Sequence, residues 1–234
     1  MKYEAVVTDN LTTTLVGENL LLRLLGKVLY NEPDAKWLEG LVFEKIFSEI
    51  PFGAEQPEII RGFEILQQWS TAQTNGILET EFAELKLDYT RLFIGLDVHR
   101  TPPWESVYYN RERMVFQEQT LQVREWYARF GLQAERINKE PDDHIGLEML
   151  FIAHLASLAL QAIELNDENK LNDILQAQRE FLSEHLLRWG PAWAKLVKQH
   201  AATDFYRGIA HLTHGALLAI AETLEIKMPK EVTL

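Results

Sequence analysis

Seven histidines are the first side chains in this sequence that could do chemistry. His211 and His214 stand three residues apart, which places both imidazoles on one helix face, but two imidazoles need further ligands to hold a metal. A di-iron bundle would require Glu-x-x-His on two helices, and no histidine here has a glutamate three residues before it. HExxH is absent as well. No GxGxxG follows a strand, no GxxxxGK[ST] loop cradles phosphate, and no GxSxG elbow presents a nucleophile. The chain contains no cysteine, which excludes disulfides, iron–sulfur clusters, thiolate zinc sites and a cysteine nucleophile. The expectation is a protein without catalysis, metal or cofactor.

Three clusters remain: YTRLFIG at 89–95, PPWESVY at 102–108 and EPDDH at 140–144. Each has a plain structural explanation, as core aromatics, a rigid corner and a helix start. Together they suggest more. Trp104 beside Pro102 and Pro103 is a stiff apolar platform that loses little entropy on binding. Asp142 and Asp143 offer carboxylates that match guanidinium groups, or that cap a helix and favour its dipole. An apolar wall with an acidic rim suits a peptide carrying arginines followed by an apolar stretch.

Helical periodicity supplies the elements that must position these clusters. Leu11, Leu15, Leu22, Leu25 and Leu29 make one apolar stripe. Phe82, Leu85, Tyr89 and Leu92 make a second, and Phe116, Thr120, Val123, Tyr127 and Phe130 a third, with Gly131 where a C-terminal cap belongs. Ile145, Met149, Ile152, Ala156, Ala159 and Ile163 predict a central helix, its start capped by Asp142 or Asp143 after Pro141. Leu171, Leu175, Gln178 and Leu182 lead to Trp189-Gly190-Pro191, which reads as a stop. A last helix carries Phe205, Ile209, Leu212, Ala216 and Ile220. No strand and no repeat is evident. The segments 95–104 and 131–141 are expected to be irregular, the second serving as a hinge or a loop within one all-α bundle spanning 1–234.

Apolar residues make up 47% of the 234 and charged residues 25%, which fits a folded soluble protein and excludes a disordered one. The formal net charge of −12 repels phosphate backbones and attracts basic ligands, chiefly by speeding encounter. The N-terminus, MKYEAVVTDN, does not read as a secretory signal, and no run is expected to reach the ~20 apolar residues that cross a bilayer. These features predict a cytoplasmic protein that neither binds nucleic acid nor enters a membrane.

At the three clusters the chain closely resembles the TorD/DmsD family, chaperones that mature redox enzymes exported through the twin-arginine pathway. The resemblance continues through FLSEHLLRW at 181–189 and DFYRGIAHL at 204–212, and PPW is nearer the DmsD type. It implies an all-helical fold, no catalysis, and binding of the twin-arginine leader of a molybdopterin oxidoreductase, which delays export until the cofactor is in place. The implied leader-binding residues are Leu92, Phe93, Pro103, Trp104, Asp143 and His144, with Tyr89 where a close relative has tryptophan. Asp142 and Asp143 would pair with leader arginines, and the apolar residues would hold the stretch behind them. His144 either contacts the leader or braces the helix start. Rival readings are a chaperone for a non-exported client of nitrate-reductase type and a helical metal- or nucleotide-dependent enzyme. Exchange of helices through the 131–141 hinge would allow either a monomer or a domain-swapped dimer.

Overall fold

The computed structural model describes residues 2–73, 76–94, 101–135 and 140–230, with side chains from residue 10 onward. All regular structure among them is helical, as the apolar periodicity predicts. The helices are α1 (Lys2–Tyr30), α2 (Ala35–Phe43), α3 (Pro57–Ala72), α4 (Glu79–Tyr89), α5 (Glu118–Arg129), α6 (Ile145–Glu164), α7 (Glu168–Phe181), α8 (Leu187–His200) and α9 (Asp204–Thr223). A π-helical turn, Thr90–Ile94, extends α4, and another, Leu182–Leu186, joins α7 to α8.

Local chemistry sets several boundaries. Asp34, Asp167 and Thr203 cap α2, α7 and α9 by accepting from backbone N–H groups three residues on. Gly131, at φ +70°, ends α5 as expected. Gly131 N–H donates to Ala128 O and Leu132 N–H to Tyr127 O, so the last carbonyls of α5 are satisfied. Phe116 belongs to no helix; it lies before α5 and is exposed.

Three expectations are corrected. The stop at Trp189-Gly190-Pro191 does not occur, and Pro191 lies inside α8. An interior proline costs about 3 kcal/mol. Trp189 and Trp193 on either side of it are fully buried; at roughly 25 cal/mol per Å² and ~200 Å² each they contribute about 10 kcal/mol gross, so tertiary burial wins. The second correction concerns α6, which with a mean hydropathy of 1.6 is long and apolar enough to span a membrane. Most of it is covered by other helices, and that is why its sequence can be so apolar. The third is the cap of α6: neither aspartate supplies it. His144 does, its Nδ1 accepting from Gly146 N–H at 3.0 Å.

Packing brings α1 along α6, α3 along α9 and α8 along α9. At the α1–α6 crossing a Cβ on Gly26 would sit 2.8 Å from Gly146 O, and a Cβ on Gly146 would sit 2.8 Å from Gly26 O. The two backbones therefore touch where both residues lack a side chain. Further along α1, Glu18 is fully buried against Gln178 of α7, whose amide donates to Glu18 Oε1.

Candidate functional site

The proline-rich loop and the start of α6 meet as a short antiparallel bridge. Trp104 pairs with His144. Glu105 N–H donates to Asp143 O at 2.9 Å and Ile145 N–H to Pro103 O at 2.8 Å, flanking that pair. Such a non-hydrogen-bonded pair brings its side chains close. The Trp104 and His144 rings lie 5.9 Å apart, edge to face, and Tyr30 approaches His144 the same way at 5.1 Å. Tyr30 Oη also donates to a carboxyl oxygen of Glu140 at 3.2 Å. Tyr30, Trp104 and Glu140 are half-buried, so this ring-lined face reaches solvent.

The two aspartates look inward. Asp143 has no exposed surface. Its Oδ2 accepts from Ser106 N–H at 2.6 Å and its Oδ1 from the Thr120 hydroxyl at 2.7 Å, tying the loop and α5 to the α6 start. Asp142 is 1% exposed and accepts from Arg124 Nε (3.1 Å) and Nη2 (2.7 Å), both on Oδ2. Its Oδ1 is buried without a partner. Tyr127 Oη donates to the Asp142 carbonyl at 3.1 Å. Burial pushes the His144 imidazole down to about 3, so the cap is neutral at physiological pH.

Tyr89, Leu92 and Phe93 belong to the core rather than to an open shelf. They are 4%, 1% and 2% exposed. Phe93 stacks on Trp193 at 5.8 Å and meets the edges of Tyr89 and Tyr206. The loop is nevertheless fastened to them, since the Thr101 hydroxyl donates to Leu92 O at 2.9 Å and Trp193 Nε1 to Thr101 O at 3.3 Å. Pro103 is buried, and Trp104 alone of the expected apolar residues is half-buried. The structure thus brings Pro103, Trp104, Asp142, Asp143 and His144 together and places Tyr89, Leu92 and Phe93 beneath the loop.

Sequence reading missed Tyr30, Thr120, Arg124, Glu105 and His185. Glu105 is buried 2.8 Å from His185 of the second π turn, which anchors the loop from the other side. Burial pushes the Glu105 carboxyl up, with His185 opposing, and also pushes up that of nearby Glu148, to which the charges of Glu105 and Asp143 add. Thr120, Arg124 and Tyr127 follow the i, i+4, i+7 rule of one helix face, a signal the sequence does carry. Tyr30 leaves no such trace. A separate cleft of about 860 Å³, lined by Phe43, Lys45, Gln67 and Thr71 among others, shares no residue with this face.

A family model described as the nitrate reductase delta subunit matches residues 63–195, more than half of the chain. A Tat proofreading chaperone DmsD of Salmonella paratyphi A is 32% identical over 200 residues, covering 83% of this chain and 84% of its own. The chain belongs to the TorD/DmsD family. Other family members agree. A chaperone protein TorD of Vibrio cholerae is 31% identical over 75% of this chain and 72% of its own. A probable Tat proofreading chaperone DmsD of Haemophilus influenzae is 29% identical over 92% and 96%. The TorD/DmsD resemblance read from the three clusters is borne out, and so is the all-α fold.

Proposed function

We propose that this TorD/DmsD-family chain is a cytoplasmic chaperone that binds the twin-arginine leader of a molybdopterin oxidoreductase and holds the client back from export until its cofactor is inserted. It acts by binding rather than by catalysis. The observation that carries this reading is the Trp104–His144 bridge, which joins the proline-rich loop to the start of α6 and leaves an aromatic, acid-rimmed face at the surface. Trp104 and Tyr30 take the apolar stretch behind the arginines. Glu140 and Asp142 supply carboxylates for the guanidinium groups. Asp143, Pro103, Tyr89, Leu92 and Phe93 hold the loop from beneath, and His144, a buried neutral ring that caps α6, braces Trp104 and Tyr30 from below. At ~25 cal/mol per Å², a few hundred Å² of apolar contact contributes more than an exposed ion pair, so apolar contact sets affinity and charge sets recognition and rate.

Calorimetry with a synthetic leader peptide and its Arg-Arg→Lys-Lys version tests this. Wild type is expected to bind the arginine form more tightly, and Trp104→Ala to lose at least tenfold, about 1.4 kcal/mol. Equal affinity for the two peptides would favour the rival reading, a chaperone whose client is not exported. Undiminished binding by Trp104→Ala would remove the loop from the site.

A further inference from the structure

We propose that Arg124 gates this site: in the free protein its guanidinium occupies the seat on Asp142 that a leader arginine takes on binding. The inference rests on the reading that the face around the Trp104–His144 bridge receives an arginine-bearing leader. Four observations on Asp142 carry it. Its carboxylate is 1% exposed, while the Arg124 side chain is 28% exposed, so the buried acid is paired with a group that itself reaches solvent. Both Arg124 contacts fall on Oδ2, although a guanidinium fork is built to grip two oxygens. Oδ1 is buried with no partner, an acceptor left over by the internal pairing. Tyr127 holds the Asp142 carbonyl, so the backbone is fixed and the ligand must come to the acid.

A guanidinium already bound to this acid shows that the acid suits one. An incoming arginine replaces Arg124 like for like, uses both oxygens, and releases Arg124 to water. A lysine cannot make that exchange, because its ammonium is a point charge that cannot span the two oxygens. The internal pair therefore acts as a gate that a second guanidinium opens. An arginine ligand reaches the acid only by opening the Arg124–Asp142 contact, whereas a lysine ligand leaves that contact closed and binds without Asp142.

The test is calorimetry with the arginine-pair peptide and its lysine-pair version against wild type, Arg124→Gln and the double variant Arg124→Gln/Asp142→Asn. Circular dichroism checks that each is folded. Arg124→Gln should bind the arginine peptide about tenfold more tightly than wild type, gain less with the lysine peptide, and lose the gain when Asp142 is also replaced. If Arg124→Gln does not fold, Arg124→Lys keeps the charge, gives up the fork, and should show an intermediate gain. Wild type that prefers the arginine peptide, with an Arg124→Gln variant that binds equally or more weakly, overturns the inference and leaves the leader-binding reading intact. A gain equal for both peptides, or one that survives Asp142→Asn, overturns it too. Wild type that does not distinguish the peptides fails the underlying reading instead.

Discussion

Glu18 places a carboxyl group where no water reaches it, and the cost of ionising it there can be measured. The side chain is fully buried between α1 and α7, its one hydrogen bond comes from Gln178, and burial pushes the carboxyl up to about 8 from 4.5. The unfolded chain releases this proton near 4.5, while the folded chain keeps it until about pH 8. Between those limits the folded state binds more protons, so stability rises as pH falls and is lost as pH climbs toward 8. A shift of this size corresponds to about 5 kcal/mol at 1.36 kcal/mol per unit, and less where water follows the charge into the protein, giving ~3–5 kcal/mol. Glu18→Gln keeps the shape and the partner of Gln178 and removes the titration. Urea unfolding of both proteins at pH 5, 6, 7, 8 and 9 and constant ionic strength gives the difference curve, in which the other titrating groups cancel. The wild type should lose ground to the variant steadily from pH 5 to 8 and then level off. Parallel curves would refute the argument that the buried acid stays protonated.

Four further outcomes follow from the same structure. Gly146→Ala should cost about 1–3 kcal/mol in urea unfolding, because its Cβ would come within 2.9 Å of Tyr30 N as well as striking Gly26 O. His144→Ala should lose about 1 kcal/mol of helix cap, while His144→Asn, whose amide oxygen can cap, should recover most of it. Because His144 stays neutral down to about 3, its contribution to stability falls as pH drops from 6.5 toward 3, and the Asn variant should lack that acid sensitivity. Asp88→Ala should destabilise by about 3 kcal/mol or more in the same assay, since both carboxyl oxygens accept from the Ala202 and Thr203 backbone at the start of α9.

The apolar stripes made α1, α6 and α9 legible, because a helix buried along one face must repeat apolar residues at its own period. Gly131 was legible for a local reason, the left-handed turn that ends α5. Pro191 was not, since its tolerance depends on two indoles packing against helices distant in sequence. The cap of α6 misled for a related reason. Asp142 and Asp143 rank above histidine as caps, but Ser106, Thr120 and Arg124 claim their carboxylates from elsewhere in the chain. Of the candidate site, the three motifs could be read in the sequence and their depth could not. Tyr89, Leu92 and Phe93 would show the same spacing whether they formed a surface shelf or, as here, the packed floor beneath one.

The touching backbones of α1 and α6 also constrain how the molecule is made. On the ribosome α1 emerges before α6 and waits through four intervening helices for the segment that its glycine crossing fits. Until then α1 lacks the helix it packs along most extensively, and once α6 emerges, that segment is as greasy as a bilayer anchor. Prompt closure of this one long-range contact keeps a nascent chaperone from needing a chaperone itself, and a shortened α1 should leave a product that aggregates or sticks to lipid.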